Sequence, residues 1–225
     1  MKAETTPQVL AFDVNETLLD LGALDGLFEE LFGTAEVRRE WFALVVRAAL
    51  VTTVTRRYES FADIQAACLE SLAGRSARPI TPADRDRLVR TMAELPAHPD
   101  VPAALTALRE HGHRLAALTN NPLVLVRAQF AHAGLTPFFE EILSADEVRR
   151  LKPAPEPYRY AADRLGVDVA ELTLVAAHGW DCAGARSAGA RAVLVRRGGA
   201  APLPAGLPPD LVVPDLAGLV AELTA

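Results

Sequence analysis

The chain has 225 residues, half of them apolar, enough for one core domain or a core with an inserted subdomain. Its net charge of −6 and sequence pI near 5.4, with no basic face rich in aromatics, argue against nucleic acid as a partner. No apolar run reaches the roughly 18 residues a membrane-spanning helix needs, so no membrane partner is expected.

Met1 to Gln8 is polar and the apolar run after it is too short for a signal peptide, so a cytoplasmic protein is expected. Val9–Phe12 (VLAF) is a short continuous apolar run, the pattern of a strand buried on both faces of a parallel sheet. Residues 21 to 95 then read as helical throughout. Leu24, Leu27, Phe28, Leu31 and Phe32 recur at helical spacing, as do Trp41, Leu44, Val45 and Ala48. Ser60 with Asp63 predicts a capping box for a helix carrying Phe61, Ile64, Cys68 and Leu72. Thr81-Pro82-Ala83-Asp84 starts another helix, with Pro at its first position.

After Pro96 the rhythm changes to alternating helix and strand. A helix over Asp100–Glu110 stops near Gly112, and His113–Thr119 is a strand. Leu123–Ala133 is a helix ended by Gly134, and Ile142–Ser144 a short strand whose Ser144, with Glu147, caps a brief helix. Pro155–Leu165 is helical and closed by Gly166, Leu172–Ala177 a strand, Cys182–Ala188 a helix, and Ala192–Arg196 a strand. The Pro- and Gly-rich stretch Gly198 to Pro209 reads as a surface loop. Cys68 and Cys182 belong to no CxxC or Cys/His cluster, so neither disulfide nor zinc is expected. The alternation implies an α/β fold, a doubly wound parallel sheet, with an all-helical insertion. Residues 1–20 and 96–225 form the expected core, and 21–95 the inserted subdomain.

Such sheets bind ligands beyond the carboxyl ends of their strands. Asp13 follows VLAF, Thr119-Asn120 ends the strand LAAL, Lys152-Pro153 precedes a helix, and Asp181 follows TLVAA. A lone Asp at a strand end as readily caps the next helix or hydrogen-bonds a turn. An acid, a hydroxyl, a lysine and a second acid on successive strand ends form a constellation.

That constellation resembles the haloacid dehalogenase superfamily of hydrolases, whose four motifs match Asp13, Thr119, Lys152 and Asp181 in order. The helical insertion is similar to the family's cap, and the core to its Rossmann-like domain. Within the superfamily, the chain resembles the type II, or (S)-2-haloacid, dehalogenases. The likeness runs through FDVNETLLD, WFALVVRAALVTTVTRRYESF, LTNNP, LKPAPEPYRY and AAHGWDCAGAR. It implies a small haloacid substrate and attack by the Asp13 carboxylate on C2, forming an aspartyl ester that water hydrolyses to a 2-hydroxy acid. In that scheme Lys152 pairs with Asp13 and Asp181, and Asp181 orients or deprotonates the water. Thr17 braces the nucleophile turn and Tyr158 supports the site. Thr119, with backbone N–H groups near Val14 and Asn15, binds the substrate carboxylate, and Asn120 meets the departing halide. Phe61 and Trp180 match the apolar pocket wall; from spacing alone they equally fit ordinary core aromatics. A homodimer paired through the apolar cap helices is a further implication.

Asn15 sharpens the expectation. Phosphatases of the superfamily keep a second Asp two residues after the nucleophile, as general acid toward an alkoxide leaving group. An amide has no proton to exchange at neutral pH, whereas a halide leaves as a stable anion and needs none. Losing the acid also thins the carboxylate set a Mg²⁺ ion would want, which favours a reaction with no cofactor. Three positions depart from the dehalogenase pattern: Phe42 stands where an Arg is usual, Ala176 where a Ser is, and His178 where an Asn is. Arg38 or Arg39, one turn before Phe42, could reach the same pocket, although a solvated face is the commoner fate of such residues. His178 could donate to an anion. The alternatives are a slow or restricted dehalogenase, a Mg²⁺-dependent small-metabolite phosphatase, and a non-catalytic binding protein on this fold.

Overall fold

The computed structural model describes residues 8–76, 78–198 and 200–224; all of the polar stretch Met1–Gln8 except Gln8 lies outside them. Six strands make one parallel sheet in the order β3-β2-β1-β4-β5-β6. They are β1 (Val9–Phe12), β2 (Arg114–Thr119), β3 (Glu141–Ser144), β4 (Leu172–Ala176), β5 (Arg191–Val195) and β6 (Leu211–Val213). The fold is therefore the expected doubly wound α/β sheet. β1 lies inside it, between β2 and β4, and its side chains alternate between two cores. Leu10 and Phe12 join one apolar cluster, Val9 and Ala11 the other.

Between β1 and β2 every described regular element is helical: α1 (Asp25–Phe32), α2 (Val37–Thr55), α3 (Phe61–Ser71), α4 (Pro82–Ala93) and α5 (Val101–Glu110), with short 3₁₀ turns. The helices of residues 21–95 bury Leu27, Phe28, Leu31, Trp41, Val45, Ile64 and Leu88 in the same cluster as Leu10 and Phe12. Helices α5, α6 (Leu123–His132) and α9 (Leu216–Thr224) add to it, whereas α7 (Pro155–Leu165) and α8 (Gly179–Ala188) cover the opposite face.

Local chemistry explains most boundaries. Thr81 and Asp84 form a full capping box with Pro82 inside it, and Gly166, at φ 66°, ends α7. Ser144 and Glu147 cap a 3₁₀ turn, as their spacing predicts. At Ser60 only half the expected box forms. Its hydroxyl oxygen accepts the Asp63 N–H and its O–H donates to the Asp63 carboxylate, in place of the reciprocal backbone bond. Helix α8 begins at Gly179, three residues before the predicted start, so Trp180 and Asp181 occupy its first turn. Elements β6 and α9 lie beyond the predicted ones. The stretch 198–209 contains no helix or strand among its described residues.

Candidate active site

Asp13 continues the ladder one residue past β1, its N–H donating to the Val175 carbonyl at 3.0 Å. The chain then turns back: Leu18 and Leu19 N–H both donate to the Val14 carbonyl, and Glu16 N–H to the Leu19 carbonyl. Glu16 holds φ 62°, in the left-handed region that a side chain enters only at a cost. From β2, Asn120 takes the Lys152 backbone N–H at 2.8 Å and donates to the Lys152 carbonyl at 3.3 Å. That two-point lock, beside the cis Lys152–Pro153 peptide, points the lysine side chain inward. Asp181 arrives from the first turn of α8.

Lys152 Nζ joins all three segments. It donates to Asp13 Oδ1 at 2.8 Å, Asp181 Oδ2 at 2.6 Å and the Leu118 carbonyl at 2.9 Å. Its side chain is 1% exposed and that of Asp181 0%. Tyr158 donates to Asp181 Oδ1, so both oxygens of that acid are occupied. Thr17 donates to Asp13 Oδ2 at 2.7 Å while accepting the Ala177 N–H, tying β1 to the end of β4. Burial alone would raise the Asp13 pKa. The cations Lys152 and His178 overcome it and hold the carboxyl well below the usual range. Lys152 is raised despite its burial by the two facing acids. At Asp181 burial, only partly offset by Lys152, pushes the carboxyl up.

His178 is the feature that departs furthest from the expected site. It lies between two carboxylates, Nδ1 at 3.2 Å from Asp13 Oδ2 and Nε2 at 3.1 Å from Glu16 Oε2. Burial disfavours its charged form, yet those two acids push its pKa up to about 9. Phe42 and Trp180 flank the imidazole, with ring centroids at 5.6 and 5.4 Å. These three rings, with Glu16, Ala177, Arg38, Arg39, His98, Arg197 and the segment 200–204, line a cavity of about 810 Å³, whose wall meets Asp13 through His178.

Several expected contacts differ in the structure. The Asn15 side chain faces away from the cavity, its Oδ1 accepting from Asn121 at 3.4 Å and Gln129 at 3.3 Å. Gln129 also reaches the Met92 carbonyl at the end of α4, and Asn121 accepts from Gln65 on α3. Val14 is buried in the core, and neither Val14 nor Asn15 N–H has an acceptor among the described residues. Thr119 is buried, its oxygen accepting the Asn121 N–H. Phe61 packs in the apolar core and does not line the cavity, whereas Trp180 does. Arg38 is not on a solvated face: it is 7% exposed, paired with Asp25 and, at 3.4 Å, with Glu16. Arg39 lines the cavity and makes no ion pair among the described residues.

Sequence reasoning passed over Glu16, Asn121, Gln129 and His98. Only Glu16 had a local signal, an acid three residues after Asp13. The others arrive from distant segments. The donor set does not fit a Mg²⁺ ion, which wants six oxygens in an octahedron. Lys152 Nζ already sits between the two acids, and Asn15 Oδ1 is turned to two amides.

Comparison with known proteins follows the same lines. A family model described as haloacid dehalogenase-like hydrolase matches residues 7–189. The (S)-2-haloacid dehalogenase of Pseudomonas sp. (strain YL) is 28% identical over 213 residues, 94% of this chain and 92% of that one. The plasmid phosphoglycolate phosphatase of Cupriavidus necator is 43% identical over 127 residues, so the match spans only 56% of this chain and 55% of that protein. A crystal structure of an L-2-haloacid dehalogenase superposes with a TM-score of 0.92 at 27% identity, covering 98% of this chain and 100% of the other. With the family model spanning most of its length and the Asp13 turn, Lys152 and Asp181 brought together, this chain belongs to the haloacid dehalogenase-like hydrolases.

Proposed function

We propose that this hydrolase cleaves the carbon–halogen bond of small (S)-2-haloacids, giving 2-hydroxy acids through an ester on Asp13. The observation that carries the reading is the Lys152 ammonium seated between Asp13 and Asp181, with Asn15 turned out of the cavity. A charged, buried, aimed carboxylate is a nucleophile. The absence of a proton donor two residues after it costs nothing when the leaving group is a halide. Likeness to (S)-2-haloacid dehalogenases over more than nine-tenths of both chains supports the same reading. Under it, Thr17 and Tyr158 keep the acids aimed, and Asn120 fixes Lys152. Thr119 takes the substrate carboxylate, with Arg39 as the cation that pairs with it where the family's Arg is replaced by Phe42. The helices of 21–95 act as the cap.

The second reading, a phosphatase, draws on the 43% identity to a phosphoglycolate phosphatase over about half the chain. One assay separates them. Halide release from (S)-2-chloropropionate or bromoacetate without added metal is expected. Hydrolysis of p-nitrophenyl phosphate only with Mg²⁺, and no halide from either acid, would replace the first reading by the second.

A further inference from the structure

We propose that His178, oriented by Glu16, is the base that hydrolyses the ester on Asp13, with Lys152 holding the oxyanion; the inference rests on the haloacid reading above. The role could instead fall to Asp181, but both of its oxygens are taken, by Lys152 and Tyr158, and its side chain is wholly buried. Water in the cavity meets His178 first: it lines the cavity and its side chain is 12% exposed. Its Nδ1 faces Asp13 Oδ2 at 3.2 Å, and Glu16 holds Nε2 at 3.1 Å. A nucleophile, a base and a third group orienting that base is the arrangement of activated covalent catalysis. Glu16 adopts φ 62° in this turn, a conformation glycine would take freely, so the site keeps a carboxylate where the backbone favours none.

The steps follow from which oxygen faces which partner. Oδ1 is held by Lys152, and Oδ2 lies between the Thr17 hydroxyl and His178; Oδ2 attacks, the Oδ2–C2 bond forms and the halide leaves with its electron pair. The ester is neutral, so His178 loses one of its two facing negative charges and releases a proton to cavity water. Glu16 retains the Nε2 proton, which leaves Nδ1 as the bare nitrogen directed at the ester. Nδ1 takes a proton from water as its oxygen bonds to Cγ, and the negative charge gathers on Oδ1 against Lys152 Nζ. The Cγ–Oδ2 bond then breaks, His178 returns its proton to Oδ2, and the hydroxy acid departs with that oxygen. The new carboxylic acid gives its proton back to His178. Apart from Asp13 and Glu16, the charged and titratable groups around the imidazole are Lys152 behind Asp13, Arg38 on Glu16 Oε1, His98 on the Glu16 carbonyl, and Asp20, Arg39 and Arg197 on the cavity wall.

The test is rapid-quench kinetics with (S)-2-chloropropionate, following halide release and the intact mass of the protein. In His178→Ala, halide release should stop near one equivalent while the ester accumulates. Multiple-turnover rate should fall about 10²- to 10⁴-fold, the usual contribution of a general base. Added imidazole should restore turnover. Glu16→Gln and Glu16→Gly should slow ester hydrolysis more than the halide burst. A His178→Ala enzyme turning over at the wild-type rate overturns the inference. So does ester accumulation in Asp181→Asn but not in His178→Ala, or loss of the burst in both His178→Ala and His178→Gln with folding intact. Wild-type protein releasing no halide removes the haloacid reading itself, and this inference with it.

Discussion

Lys152 shows what a single buried charge does here. It neutralises two acids that otherwise face each other inside the protein, one 8% and one 0% exposed. Lys152→Met should destabilise the fold by about 3–5 kcal/mol, the usual consequence of stripping the partner from a buried charge. A denaturant midpoint unchanged from wild type would contradict this. His178 makes the residue scale pH-dependent. Its pKa is raised in the folded chain to about 9 from an ordinary 6.5. Its contribution to stability is therefore complete below about pH 6.5 and lost as pH rises through about 9. The Tm of the wild type should fall across that window, and that of His178→Gln should fall less. Asp13, Thr119, Lys152 and Asp181 were legible because each closes an apolar run at a strand end or opens a helix. The direction of the Asn15 side chain was not, since its partners Asn121 and Gln129 are more than a hundred residues away.

At the scale of elements, α8 holds the site through its small residues. A Cβ on Gly184 would come within 2.4 Å of Pro153 Cβ and 2.6 Å of the Tyr158 hydroxyl. Gly184→Ala should push α8 away from the Lys152–Pro153 turn and break the Tyr158–Asp181 bond. A loss of about 1–3 kcal/mol, typical of overpacking, with a disproportionate drop in turnover, is expected from melting and activity measurements. An equal Tm and rate would show that the packing tolerates the methyl. Strand β1 and helix α7 were readable end to end, because an uninterrupted apolar run and a Pro–Gly bracket each mark both limits. The start of α8 was not readable: Gly179 and Trp180 carry no cap signal, and the His178 side chain, at the N-cap, makes no capping bond to the helix. β6 is too short at three residues to carry a period.

The whole molecule packs a parallel sheet against the helices that follow its first strand. Glu16 sits at that junction, touching His178 of the core side and Arg38 of α2, and Phe42 lies over His178 from the same helix. The alternation of strand and helix made the sheet legible, and the unbroken helical periodicity made the helices between β1 and β2 legible. The cavity between them was not, since its wall is assembled from residues 16 to 204 with no common local pattern. On this account the carboxylate at position 13 accepts an oxygen from water in every cycle and passes one of its own to the product. A single turnover in ¹⁸O-labelled water tests this directly: Asp13 should carry the heavy isotope and the hydroxy acid should not. Label in the hydroxy acid, with Asp13 unlabelled, would mean that water attacks C2 itself and that no ester forms.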